Sequence, residues 1–192
     1  MKRFFVFLVV ILSLISCNQS KRIVTDIPIK TDILGVKLCE EMSVSEVRYA
    51  LMDHTDKYFE TTTQKNGSAE VYRSVPMDLN FNYVNYGGLS WTYIDVGVTK
   101  DSEVYVLNLR GSYESEESAK RQYDSAVAIF TQKYGKGNVR DNVVFWTDDV
   151  NSVGLVYYKA SAIDGSDRWF CELYYCNIAL SEKVKAENQP DI

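Results

Sequence analysis

Twice along this chain the spacing of apolar residues changes from the period of about 3.6 expected of a helix to the period of two expected of a strand. A sequence that does so in short, connected pieces is confined to helices packed on antiparallel sheet. The first switch begins at Ser43-Val44-Ser45-Glu46, a capping box in which the serine oxygen accepts from the amide three residues on while Glu46 reaches back. Met42 before the cap and Val47 within it make a hydrophobic staple, and Val47, Ala50 and Leu51 share a face, so a helix is predicted over 44–54. The second switch begins at Ser115, with Glu116 and Glu117 at the positive end of the helix dipole. Ala119, Tyr123, Ala126, Val127, Phe130 and Tyr134 then recur at helical spacing, and Lys133 with Gly135 supplies the stop.

After each helix the alternation has period two. Strands are predicted over 79–83, 89–98 and 104–109, with Gly87-Gly88 and Lys100-Asp101-Ser102 as turns; Ile94, Val96 and Val98 share one face of the middle strand and Trp91 and Tyr93 the other. Asn66-Gly67 marks an earlier hairpin joining 58–63 to 69–73. The second half repeats the scheme with strands over 143–147, 153–160 and 169–178, separated by turns at 148–152 and at Asp164-Gly165. Such short connections make neighbouring strands antiparallel. The expected fold is α+β: two α-β-β-β units, 33–112 and 113–180, forming antiparallel sheet within one domain, with the helices packed on one face.

The ends of the chain read differently. Lys2 and Arg3 precede an apolar stretch, FFVFLVVILSLI over 4–15, which matches a secretory signal in length and flanks and is too short to span a bilayer. The stretch closes on Leu14-Ile15-Ser16-Cys17, which resembles the bacterial lipobox: an aliphatic residue, a tolerant position, a small residue and the cysteine that receives lipid. The resemblance implies that residues 1–16 are removed and that Cys17 carries acyl chains, anchoring the protein to a membrane. Asn18, where some lipoproteins have Asp, implies the outer membrane, and the absence of an acidic cluster after Cys17 implies a position facing the periplasm.

Residues 18–32 lack helical period and contain Pro28, so 17–32 reads as a lipidated tether, fifteen residues of which reach at most about 50 Å. Residues 181–192 are polar, contain Pro190 and read as a disordered tail. Loss of Lys2 and Arg3 takes the net charge from −5 to −7, two positive charges fewer, which predicts a domain that stands away from an anionic membrane.

A second resemblance rests on Ile33-Leu34-Gly35 through Ser43-Val44-Ser45-Glu46-Val47, followed by a helix and a meander. This opening is similar to the helix-plus-sheet repeats of β-lactamase-inhibitor-type proteins and of the SmpA/OmlA outer-membrane assembly lipoproteins. The doubled helix-then-sheet pattern is more like the former and the lipid anchor more like the latter. Cys39-Glu40-Glu41 departs from the glycine these families commonly carry before Met-Ser or Met-Thr. The resemblance implies a non-catalytic module that binds another protein.

Composition narrows the chemistry. With 21 basic against 26 acidic side chains the chain lacks the concentrated Lys and Arg of a phosphate-backbone binder, so no nucleic-acid partner is expected. A single histidine, His54, leaves little for a catalytic triad or a zinc site; its place at a helix end beside Asp56 suits a cation at a helix C-terminus better than a general base. Asp149-Val150-Asn151-Ser152-Val153-Gly154 begins like a calcium loop but has Val153 and Ala160 where oxygen ligands belong, so it reads as a turn; no metal or cofactor is expected. With Cys17 lipidated, Cys39, Cys171 and Cys176 remain. Cys171 and Cys176 are five apart on one strand and face opposite sides, so they cannot pair with each other, while Cys39 pairing with either stays open.

Aromatic residues make up 13% of the chain and crowd the predicted strands. Pleated, half-buried surface accounts for most of them. The functional reading is that the sheet face away from the helices offers Trp91, Tyr93, Tyr158 and Tyr174 as anchors for a partner protein. The expected function is thus a lipid-anchored cell-envelope protein, not an enzyme, acting as a protein-interaction module of assembly-factor or inhibitor type. The alternative is a periplasmic glycan-binding protein or weak hydrolase.

Overall fold

The computed structural model describes residues 23–52, 54, 59–60, 69–74, 84–162 and 165–187. Within them the class is α+β. A two-stranded ribbon, β1 (Asp32–Ile33) and β2 (Val36–Lys37), leads into helix α1 (Val44–Met52). β3 (Phe59–Glu60), β4 (Ala69–Ser74), the hairpin β5 (Val84–Tyr86) and β6 (Leu89–Trp91), then β7 (Tyr93–Thr99) and β8 (Val104–Tyr113) complete the first half. The second half is helix α2 (Glu116–Tyr134), β9 (Asn138–Arg140), β10 (Val143–Thr147), β11 (Asn151–Ser161), β12 (Asp167–Asn177) and helix α3 (Ile178–Glu187).

Both helix starts form as the sequence predicts. Ser43 and Glu46 close the capping box, the Ser43 amide donating to the Glu46 carboxylate at 2.7 Å and the Glu46 amide to the Ser43 hydroxyl at 3.3 Å. Ser115 caps α2 by accepting from the Ser118 amide at 3.2 Å, and Gly135, at φ 79°, ends it.

Eight strands form one antiparallel sheet in the order β3-β4-β7-β8-β12-β11-β10-β9. Each half therefore contributes a helix followed by four sheet strands rather than three. The two sets run outward from the β8–β12 seam in mirrored order, with the β5–β6 hairpin set apart in the first half. The turn at Asn66-Gly67, the strand predicted over 79–83 and Asp164 lie outside the described residues.

One sheet face is the main core. Ile94 and Val96 of β7, Leu107 and Leu109 of β8, and Cys171, Leu173 and Tyr175 of β12 pack there with Ala126, Phe130 and Tyr134 of α2 and with Val47 and Leu51 of α1. The opposite face is covered at one end by α3, whose Val184 joins Tyr105, Val106, Tyr174 and Cys176. Helices thus lie on both faces, not one. Asn177 starts α3 by accepting from the Leu180 amide at 2.9 Å, and Ser181 and Val184 are buried, so the helix takes up chain that reads as strand end and tail. Lys183 ties α3 to Asp101 and Glu103 at the β7–β8 turn.

The tether is also shorter than its sequence suggests. The Thr25 amide donates to the Thr147 carbonyl at 2.8 Å, the Ile29 amide donates to the Asp148 carboxylate at 2.6 Å, and Ile29 is buried. Residues 23–31 are docked on the second half because their backbone donors find partners at the ends of β9 and β10, and aperiodic sequence does not reveal such pairing.

Candidate functional site

Three strands bring charge into the sheet interior. Asp95 sits between Ile94 and Val96, Arg110 follows Leu109, and Glu172 sits between Cys171 and Leu173. The register places Arg110 opposite Glu172 across the β8–β12 seam and opposite Tyr93 on β7, while Asn108 lies opposite both Asp95 and Tyr174. By alternation all these residues share the α3 face with Tyr174 and Cys176.

The Arg110 guanidinium bridges the two acids, Nη2 lying 3.1 Å from Asp95 and Nε 3.5 Å from Glu172. Glu172 also accepts from the Tyr158 hydroxyl at 2.8 Å, and the guanidinium lies 5.9 Å from the centre of the Phe170 ring. The side chains of Arg110, Asp95 and Glu172 are only 11%, 6% and 2% exposed. Burial by itself would lower the pKa of the arginine, but the charge of Glu172 and the other groups beside it, Asp95 included, outweighs that and raises it. Burial, then the charge of Glu172, pushes the Tyr158 phenol well above its ordinary range. Deeper along the same face the Asn108 side-chain carbonyl oxygen and the Tyr105 hydroxyl are buried with no hydrogen-bond partner among the described residues.

Tyr93 and Tyr158, partly exposed, flank this cluster as residues of its face. The other two aromatic candidates do not serve as surface anchors. Trp91 is fully buried, its indole N–H donating to the Tyr86 carbonyl at 3.1 Å, and it belongs to the core of Ile94 and Val96. The predicted strand over 89–98 breaks at Thr92, whose amide donates to the Arg110 carbonyl and whose hydroxyl accepts from Ser112, and the break reverses the side on which Trp91 emerges. Tyr174 is buried beneath α3 with its ring laid over Gly154, where any β-carbon would meet the ring.

The remaining candidates are spread apart. His54 is exposed at the end of α1. Among the described residues Cys39, Cys171 and Cys176 form no disulfide; Cys39 is exposed and the other two are buried on opposite sheet faces. Asp148 receives the Val150 and Asn151 amides in a side-chain-capped turn, which accounts for the calcium-like sequence. Among the described residues no group of three His, Cys, Asp or Glu side chains could hold a metal ion, and no helix is long and apolar enough to cross a membrane. Cys17 lies outside the described residues.

Sequence reasoning misses Asp95, Arg110 and Glu172, although their signal is present: in each of three apolar strands a charge occupies a position that alternation assigns to a covered face. No family model, no curated protein and no solved structure matches the chain.

Proposed function

We propose that this protein is a lipid-anchored component of a bacterial cell envelope, held by acyl chains on Cys17 at the outer membrane facing the periplasm, and that its folded domain is a non-catalytic module that binds another protein. The observation that carries this reading is the lipobox sequence Leu14-Ile15-Ser16-Cys17 at the end of the apolar stretch 4–15. The doubled helix-then-sheet order supports a relation to the β-lactamase-inhibitor-type and SmpA/OmlA-type modules.

The chemistry of the cluster supports binding over catalysis. Arg110, Asp95, Glu172 and Tyr158 are engaged with one another, and such mutual pairing fixes side chains instead of leaving an acid or base poised for a substrate. Burial raises the thiol pKa of Cys171, and the adjacent Glu172 charge raises it further, so its nucleophilic form is suppressed. Tyr93 and Tyr158 at the edge of the cluster combine an apolar ring with a polar tip, the combination that anchors protein interfaces.

Two measurements test the two parts. Cells fed a tagged fatty acid should label the wild-type protein and not Cys17→Ala; equal labelling refutes the anchor. A photo-crosslinking amino acid at Tyr93 should give one discrete adduct in intact cells, and the same group at Tyr49 on α1 should not. Adducts of equal yield at both positions would remove the binding role from this face.

A further inference from the structure

We propose that the corner of the domain formed by residues 23–27, β9 and the β10–β11 turn lies against the lipid surface, so that the protein rests on its membrane and does not stand off it. This rests on the lipid-anchor reading. The described residues include eight large apolar side chains that are exposed, and five of them, Ile23, Val24, Ile27, Val139 and Val150, fall on this corner; the other three are on α1 and α2. Val139 is 71% exposed and Val150 58%.

Hydrogen bonds tie the three elements of this corner to one another. The Asn138 side chain accepts from the Ile23 amide at 2.8 Å and donates to the Ile23 carbonyl at 2.7 Å, which sets Ile23 beside the start of β9 and its neighbour Val139. Thr25 bonds to the end of β10, and Ile29 bonds to Asp148 of the turn that carries Val150.

The length of chain ahead of this corner selects its occupant. From Cys17 to Ile23 there are six residue steps, which fully extended span at most about 20 Å. A lipidated Cys17 therefore keeps the corner within reach of the headgroups whatever the conformation between. Lys21 and Arg22 lie in that interval and are attracted to anionic lipid. The charges at and next to this corner, Lys21, Arg22 and Arg140 against Asp26, Asp148 and Asp149, balance, so apolar contact and the short reach from Cys17, not local charge, hold the corner to the surface.

The test uses the full, processed chain in vesicles of phosphatidylethanolamine containing phosphatidylglycerol. Intact mass first establishes acylation of Cys17; a non-acylated product overturns the proposal together with its premise. In a Cys39→Ser background, where Cys171 and Cys176 are buried, nitroxide labels are placed by Val139→Cys, Val150→Cys and, for comparison, Tyr49→Cys. Collision with a water-soluble nickel chelate should be reduced at 139 and 150 relative to 49, with collision by oxygen retained, and the reduction should diminish in Ile27→Glu. All three sites are exposed, so these substitutions leave the core intact. Equal nickel accessibility at all three positions in acylated protein overturns the proposal while the anchor stands. Loss of both nickel and oxygen collision at 139 and 150 means that protein covers the corner, a partner or a second copy, and overturns it as well.

Discussion

Replacing Arg110 with methionine removes the cation that bridges Asp95 and Glu172 while keeping most of the side-chain volume. Both carboxylates are at most 6% exposed on the side chain, so screening by water is small and each loses a buried ionic partner. Breaking a pair of this kind costs about 3–5 kcal/mol, a large share of the roughly 5–15 kcal/mol that holds a domain folded. In urea, with a slope on the order of 2 kcal/mol per molar, the unfolding midpoint should fall by roughly 2 M at pH 7.

Replacing all three groups, Arg110→Met with Asp95→Leu and Glu172→Leu, removes the two buried carboxylates together with the guanidinium and should recover most of the loss. An Arg110→Met midpoint equal to wild type, or a triple variant no better than the single one, would refute this reading of the cluster.

Three further outcomes are expected. Gly154→Ala forces a methyl group into the Tyr174 ring and should cost about 1–3 kcal/mol in urea unfolding, with part of the loss recovered in Gly154→Ala/Tyr174→Val. Under native conditions iodoacetamide should modify Cys39 alone, with Cys171 and Cys176 reacting only in denaturant; rapid native modification of all three would contradict their burial. The Ser43 hydroxyl, and then its amide, hold the Glu46 carboxyl below the usual range. The stabilisation this gives α1 is present above the ordinary carboxylate pKa and is lost as pH falls through the lowered value. Hydrogen exchange in the first turn of α1 should accelerate over that interval in wild type and not in Glu46→Gln.

What the sequence discloses here is local. Caps such as Ser43 and Ser115, and turns such as Gly87-Gly88, whose φ values of 64° and 74° suit a tight hairpin, are decided by neighbours within four residues. The features that escape sequence reasoning are decided at a distance. Thr92 breaks a strand because it bonds to Arg110 and Ser112 across the sheet; residues 23–31 are ordered by partners near residue 148; α3 is a helix because Val184 finds Tyr105 and Tyr174 to pack on. Asn177 was the one local sign of α3, and a polar tail hides it. Of the four aromatic candidates, Tyr93 and Tyr158 lie at the charged cluster, while Trp91 and Tyr174 are core residues whose burial follows from that strand break and that helix.

The position of the cluster bears on how the two halves find one another. β8 and β12 are the last strands of their halves, and both are largely buried on both faces, so burial alone discriminates weakly between registers along their seam. Slipping either strand by one residue would carry Arg110 or Glu172 to the face beneath α2, among Leu109, Leu173 and Phe130, with no partner for its charge. The ionic cluster thus penalises the wrong pairing more than it stabilises the right one, which is how a buried salt bridge contributes specificity at little gain in stability. The charge-free triple variant tests this separately from stability: it should resist urea about as well as wild type yet show more than one set of amide resonances for β8 and β12. A single, wild-type-like set would mean that side-chain packing alone fixes the seam.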